Sequence, residues 1–464
     1  MTDIAHNVAT EMSGGAELSR SLKSRHVSMI AIGGIIGAGL FVGSSTTISQ
    51  AGPAAVVSYA IAGFIILLVM RMLSEMAMAV DGAQTFAEFA RIGLGHLPGF
   101  LSGWLYWYFW VVVVAIEAIA GAQIIHNWFP YLPEFGIGVA LMAVLTAVNL
   151  MSARAYGEFE FWFSGIKVAA IIVFILLCAA WAVGFTAPAG ATFGNWTAHD
   201  GFAPMGWGVV LAATTSTIFA MCGAEIATIA AAESEEPAKV ISKMTVSVTM
   251  RILIFYVLSI LLIVAVVPWT EIVPKQSPFA ATLAYMGVPG GKIIMEAVVL
   301  VAVLSCLNSG LYVTSRALFG LAKHGDAPQS LVQLNVRKVP ARAILIASLF
   351  SYVALVADAF SRDVVFSFLI NSCGVTMILL YLMTSFSQLK LRNQFERTAP
   401  ERLQIRMWFH PFGTYLAIAA MVAILVFMGL DPNLASQLWL SMLVTAAFVA
   451  AFYLFRRKAD VTTP

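Results

Sequence analysis

Three charged residues, Glu117, Lys167 and Glu225, lie inside long apolar stretches where hydrocarbon is the expected surrounding. An ionised side chain near a membrane-helix centre costs about 2.5–3.5 kcal/mol on insertion scales. Such groups therefore face a polar interior, pair, or give up their charge. Groups of this kind could take up and release an ion. The plainer reading is a satisfied helix-to-helix pair, with Lys167 snorkelling toward a helix end. The backbone offers a second kind of chemistry. Four glycines fall within seven positions at Gly33, Gly34, Gly37 and Gly39. Small residues let membrane helices pack closely. A helix interrupted here would instead free N–H and C=O groups to line a polar cavity, and the start of a resumed half-helix could hold a carboxylate.

The stretch Phe219-Ala220-Met221-Cys222-Gly223-Ala224-Glu225 repeats this idea five apolar segments later. Because five is odd, a second copy of a five-helix unit would insert upside down, as in inverted-repeat transporters. Ser305, Asn308, Ser309 and Tyr312, around Cys306, share one helical face suited to packing or to lining a pathway. Arg71 and Glu75, spaced i,i+4, read as a local ion pair. The aromatic run from Trp104 to Trp110 reads as packing and interfacial anchoring, or as a wall of a binding site.

These groups need a membrane scaffold to position them, and the composition supplies one. Of 464 residues, 60% are hydrophobic and only 11% charged, against about 25% charged in a soluble globular domain. Twelve apolar segments are long enough to cross about 30 Å of hydrocarbon: 27–49, 53–80, 98–126, 135–151, 157–184, 206–232, 248–268, 290–323, 341–357, 363–387, 411–429 and 434–455. An even number puts both ends in one compartment. Arg20, Lys23 and Arg25 precede the first segment, Arg456, Arg457 and Lys458 follow the last, and the basic residues between them concentrate in alternate loops. Only Lys275, Lys292 and Arg362 fall on the opposite side, so both termini are expected in the cytoplasm. The expectation is an all-α integral membrane protein: a cytoplasmic tail at 1–25, one transporter domain at 26–455, and a second tail at 456–464.

Several classes are disfavoured. A formal charge of +2 and the lack of a recognition motif argue against nucleic acid. Cys178, Cys222, Cys306 and Cys373 all lie in apolar segments, without metal-ligand spacing or a disulfide framework. No metal is expected. No Walker A phosphate cradle suggests an ATP-driven pump, and no nucleophile–base arrangement suggests an enzyme with catalytic residues. The first 25 residues lack a signal-peptide pattern, so insertion is expected to use a retained helix. A receptor that binds an amino acid without transporting it is a remote alternative.

The stretches Leu22-Lys23-Ser24-Arg25-His26-Val27, Gly37-Ala38-Gly39-Leu40-Phe41, Gly157-Glu158-Phe159-Glu160-Phe161-Trp162, Gly223-Ala224-Glu225-Ile226 and Ser305-Cys306-Leu307-Asn308-Ser309 closely resemble the amino acid-polyamine-organocation (APC) transporter superfamily. Within it the chain is similar to bacterial amino acid transporters, and at subgroup level to carriers of gamma-aminobutyrate. The resemblance covers nearly the whole chain. It implies twelve helices in a LeuT-like five-plus-five inverted repeat, at about 26–184 and 206–387, with helices 1 and 6 discontinuous and two more helices at 411–455. It further implies a substrate carboxylate received by the backbone of Ile36, Gly37, Ala38 and Gly39. Carbonyls of Phe219, Ala220, Met221 and Cys222 would receive the ammonium, with Glu225 and Cys306 beside the site. Lys167 matches the lysine that stands where sodium-coupled relatives bind sodium, which favours proton symport without sodium or any cofactor; Glu117 and Glu225 are further coupling candidates. Gly39 and Gly310 depart from the gamma-aminobutyrate subgroup, which has serine and alanine there. The implied activity is proton-coupled uptake of gamma-aminobutyrate or a similar omega-amino acid across the bacterial inner membrane. Its alternative is an aromatic, basic, branched or small alpha-amino acid. The expected partners are the small substrate and the lipid bilayer, with no obligate protein partner.

Overall fold

The computed structural model describes residues 29, 34–80, 83, 85–151, 153–188, 190–223, 225–226, 237–360, 362–432 and 434–461; for 153–155, 237–249, 251–252, 362–367 and 455–461 it describes the backbone alone. The 1–25 tail, Gly33, Ala224 and the motif residues 227–234 lie outside the described residues, as do the side chains of Arg154, Arg362, Arg456, Arg457 and Lys458.

The described chain folds into helices α1 (Ala38–Phe41), α2 (Gly43–Ala51), α3 (Ala55–Ala79), α4 (Phe86–Leu94), α5 (His96–Trp128), α6 (Glu134–Asn149), α7 (Ala153–Ala182), α8 (Trp207–Met221), α9 (Pro237–Val266), α10 (Pro278–Tyr285), α11 (Gly291–Lys323), α12 (Ala341–Phe360), α13 (Arg362–Thr398), α14 (Phe412–Leu430) and α15 (Ala435–Val461). An apolar chain in lipid has no water to satisfy its amides, so helices that bond internally are the natural solution. Among the described residues, eight helical stretches are long and apolar enough to cross a membrane, and Glu134–Asn149, Trp207–Met221 and Leu253–Val266 are shorter apolar helices. The first qualifying stretch, Ala38–Ala79, runs through two of the expected spans. The chain stays helical through a 3-10 turn at Gly52–Ala54.

Helices α5 and α11 pack along each other, each of 33 residues, or about 50 Å at 1.5 Å per residue. They run antiparallel. At one end Asp326, just past α11, accepts hydrogen bonds from Arg91 and, at 2.8 Å, from His96. At the other, Trp128 donates to Glu296 at 2.8 Å. Helix α3 packs on α8, α9 and α13, and α8 packs on α13 as well. The short helix α4, started by a Thr85–Glu88 capping box, packs against α5 and α13.

Helix α7 shows how sequence divides the surface. Glu160, Ser164, Lys167, Ile171, Phe174, Cys178 and Ala182 are all buried and recur every three or four residues. Trp162, Ile166, Val173 and Leu176 point outward on the other side. An inward stripe bearing two charges beneath an apolar outer face is the pattern of a helix between lipid and a polar interior. Peripheral α15 likewise exposes Trp439, Leu440, Leu443 and Leu454. Together these features describe a multi-pass membrane protein.

The Arg71–Glu75 local pair is not what forms. Glu75 accepts from Arg392 Nη1 at 2.5 Å, Gln388 Nε2 at 2.7 Å and the Met407 amide at 2.5 Å. Arg71 donates to the Arg406 carbonyl at 2.9 Å and lies over the Trp408 ring. The i,i+4 spacing permits a pair, but a buried carboxylate needs enough donors to offset its lost hydration, and here they come from α13 and the segment after it.

Candidate functional site

The segment before α1 breaks at Ile36–Gly37. Gly37 is extended, with φ −141° and ψ −152°, so neighbouring backbone groups lose their helical partners. Buried groups must find others, and four different helices supply them. Cys306 Sγ of α11 meets the Gly34 carbonyl at 3.4 Å, and Tyr256 of α9 donates to the Ile35 carbonyl at 2.9 Å. Lys167 Nζ of α7 donates to the Ile36 carbonyl at 3.1 Å. The Ala38 amide donates to both carboxylate oxygens of Glu117 on α5, at 3.0 Å each. The interruption is thus built into the core by side chains from α5, α7, α9 and α11.

The second break faces the first. Helix α8 ends at Met221, Cys222 is extended with ψ 154°, and Gly223 takes φ +118°. That region of backbone space favours glycine. A side chain there would also strike the Gly34 carbonyl, 2.8 Å from the Cβ position. The Gly223 amide donates to Glu225 Oε2 at 3.0 Å. One helical turn earlier, a Cβ on Gly39 would come within 2.7 Å of the Ala220 Cα, so α1 and α8 cross at backbone contact.

A small internal cavity opens between the two breaks. It is lined by Gly34, Ile35 and Gly39 from the first segment, Phe219, Ala220 and Cys222 from α8, Phe109, Trp110, Val113 and Glu117 from α5, and Cys306 from α11. Of the expected substrate-contacting residues, Gly39, Phe219, Ala220, Cys222 and Cys306 reach this wall. Ile36, Gly37, Ala38, Met221 and Glu225 are buried in the structure around it. The Phe219 carbonyl already accepts the Cys222 amide at 3.2 Å. The aromatic run divides: Phe109 and Trp110 face the cavity, while Trp104 stacks on Phe448 and Trp107 meets Phe350 edge-on. Trp104 therefore does not set the cavity's length, because its position on α5 points it at α15.

The three intramembrane charges are all buried, Glu117 at 1% exposure and Lys167 and Glu225 at 0%. Lys167 Nζ also donates to Ser305 Oγ at 2.7 Å and lies 3.7 Å from Glu160 Oε1. Glu160 is the participant the sequence reading overlooked. The signal was available, since residues seven apart on a helix share a face and both belong to the inward stripe of α7. Glu225 lies by Gly223 at the other break. Ser305, Asn308, Ser309 and Tyr312 do share a face, turned toward α6 and α7: Asn149 donates to Asn308 Oδ1 at 2.7 Å, Tyr156 to Ser309 at 2.9 Å, and Tyr156 stacks on Tyr312. Cys178, Cys222, Cys306 and Cys373 are free and buried.

An all-helical, lipid-facing bundle with two broken segments meeting at a buried polar centre has the architecture of a small-molecule carrier. Residues 26–458 match the amino acid permease family model, and the chain belongs to that family. It is 46% identical to the gamma-aminobutyric acid permease of Bacillus subtilis (strain 168), over 95% of this chain and 94% of that protein. Against the gamma-aminobutyric acid permease of Escherichia coli (strain K12) the identity is 42%, covering 90% of each. An aromatic amino acid transport protein of Corynebacterium glutamicum is 36% identical, covering 96% of each.

Proposed function

We propose that this permease imports gamma-aminobutyrate or a similar omega-amino acid into the cytoplasm together with a proton. The observation that carries this reading is the cavity between the Ile36–Gly37 and Cys222–Gly223 breaks, in a chain whose full-length relatives include gamma-aminobutyric acid permeases. In this reading the chain forms twelve spans, the first ten as two inverted five-helix units at about 26–184 and 206–387, with two more at 411–455. The tails at 1–25 and 456–464 lie in the cytoplasm and the protein sits in the bacterial inner membrane, as the distribution of basic residues supports.

The substrate is moved unchanged. Its carboxylate would take the Ala38 amide from Glu117, beside Ile36, Gly37 and Gly39. Its ammonium would meet carbonyls of the Phe219–Cys222 turn, with Cys306 on the wall and Met221 and Glu225 supporting the turn from behind. A proton drives transport only if its affinity differs between the outward- and inward-open states. Lys167 is suited to that task because its ammonium holds the Ile36 carbonyl of the broken segment. A lysine cation in that position supports coupling to protons without sodium. Glu117, displaced from Ala38 by substrate, and Glu225, at the second break, are the other coupling groups.

The test is labelled gamma-aminobutyrate uptake into liposomes with imposed pH or sodium gradients and voltage clamped. Accumulation that follows the pH gradient is expected, and a sodium requirement would defeat the assignment. A second reading, an aromatic or other alpha-amino acid as cargo, is favoured by the Phe109, Trp110 and Phe219 wall and by the aromatic transporter relative. Competition with amino acids that vary the distance between ammonium and carboxylate separates the two. With a labelled alpha-amino acid as the transported species, strong block by other alpha-amino acids and none by gamma-aminobutyrate would select the second.

A further inference from the structure

We infer that Glu160 is the proton acceptor on the cytoplasmic side of Lys167, reached through the Ser305 hydroxyl. The inference rests on the reading above, in which proton movement drives uptake and the N-terminal end of α7 faces the cytoplasm.

The geometry is a continuous donor chain. Lys167 Nζ donates to Ser305 Oγ at 2.7 Å, and Ser305 Oγ in turn donates to Glu160 Oε1. Ser164 Oγ donates to the same carboxylate oxygen at 3.3 Å. Lys167, Ser305, Glu160 and Ser164 are all fully buried, so this chain is shut off from bulk solvent. The titratable and charged groups around it are Tyr156 on its own helix, Cys306 and Arg316 on α11, and Glu117 on α5. Among the described residues, Glu160 is an acid within ion-pair distance of Lys167, at 3.7 Å.

The proton count closes. The Lys167 ammonium gives one proton to Ser305 Oγ as Ser305 gives its own to Glu160 Oε1. Lys167 becomes a neutral amine, Ser305 keeps one proton, and Glu160 becomes a carboxylic acid. The pair carries zero net charge before and after, so the step leaves no isolated charge in a low-dielectric core, the state that buried ion pairs most strongly penalise. Glu160 lies seven residues before Lys167, which places its Cα about 10 Å nearer the N-terminal end of α7. Beyond it, Ser309 and Tyr156 are joined by a 2.9 Å hydrogen bond and Tyr156 stacks on Tyr312, above which lies Arg316. Once the proton leaves on that side, the Glu160 carboxylate favours reprotonation of Lys167 when the site next opens outward.

The experiment uses the full chain in liposomes, with labelled gamma-aminobutyrate and an internal pH dye. Two readouts are compared, substrate counterflow exchange without a pH gradient and accumulation driven by one. In Glu160→Gln, exchange is expected to continue while the initial rate of pH-driven uptake falls by about a hundredfold. Ser305→Ala keeps both charged groups and removes only the bridge; the same split is expected, and it decides the matter if Glu160→Gln does not fold. Wild-type pH-driven uptake in both variants overturns the role of Glu160 alone. Loss of exchange and accumulation in equal proportion in both assigns the residues to structure and also overturns it. Failure of the unaltered protein to respond to the pH gradient overturns the proton-coupled reading itself.

Discussion

Replacing Glu75 by glutamine tests whether the buried end of α3 is held by long-range partners or by its own helix. The wild-type carboxylate receives three donors, Arg392, Gln388 and the Met407 amide. The amide keeps the shape but loses the charge, and leaves the Arg392 side chain at 6% exposure with Glu396 as its remaining acid. Breaking a buried pair from one side costs about 3–5 kcal/mol. The retained amide oxygen and Glu396 bring the expectation to the lower end, about 3 kcal/mol. At an unfolding entropy of about 2.1 cal/mol/K per residue, a chain of 464 residues loses about 1 °C of Tm per kcal/mol, so the expected shift is about 3 °C. Thermal unfolding in detergent across two double-mutant cycles separates the partners. A coupling of about 2–3 kcal/mol is expected for Glu75 with Arg392, and under about 1 kcal/mol for Glu75 with Arg71. The reverse ranking refutes the reasoning, because it would restore the i,i+4 pair as the one that matters.

Gly223→Ala adds a side chain at φ +118° and 2.8 Å from the Gly34 carbonyl. The strain and the forced separation should cost about 2 kcal/mol or more and lower initial uptake at matched expression at least roughly tenfold. Gly165→Ala, which meets nothing within 4 Å, should leave uptake unchanged; equal rates in the two variants would refute the close-contact argument. Lys167→Ala should abolish concentrative uptake, since it strips a donor from the Ile36 carbonyl and from Ser305; normal accumulation removes Lys167 as the essential coupling group. His410, between α13 and α14, is held below the ordinary imidazole value of 6.5 first by burial and then by the Arg392 guanidinium, against weaker opposition from Glu75 and Glu396. The folded protein therefore binds this proton less readily than the unfolded chain. The contribution is present above pH 6.5 and is lost as pH falls through the folded value. A histidine titration by NMR should place His410 below 6.5 and move it upward in Arg392→Gln; a value at or above 6.5 contradicts the assignment.

Much of the site could be read from residue spacing, because membrane burial makes every charge conspicuous. Glu117, Lys167 and Glu225 stood out for that reason, and all three are buried beside the two breaks. Gly34, Gly37 and Gly39 marked the first break because an interrupted helix needs small residues where backbones meet. Which carbonyl each side chain caps was not legible: Tyr256 and Cys306 reach the Ile35 and Gly34 carbonyls from α9 and α11, and such pairings follow from how helices are stacked. Glu160 was missed for a different reason. It stands beside Glu158 in a segment read as the edge of a span, and only the phase of the whole α7 stripe shows that it turns inward with Lys167. The Arg71–Glu75 expectation failed because local spacing limits which pairs can form without ranking them against distant ones.

The length of α5 and α11 has a practical consequence. At a typical tilt of about 20°, a helix of about 50 Å rises about 47 Å, well beyond about 30 Å of hydrocarbon. These two helices therefore reach past the hydrocarbon and through the headgroup layers as stiff posts, α5 joined to the segment after α11 by the His96–Asp326 hydrogen bond and α4 by Arg91. A spectroscopic reporter attached at Lys323 would ride on a rigid post, so its distance to a second label on α3 would register how far the two helices travel relative to each other during a transport cycle.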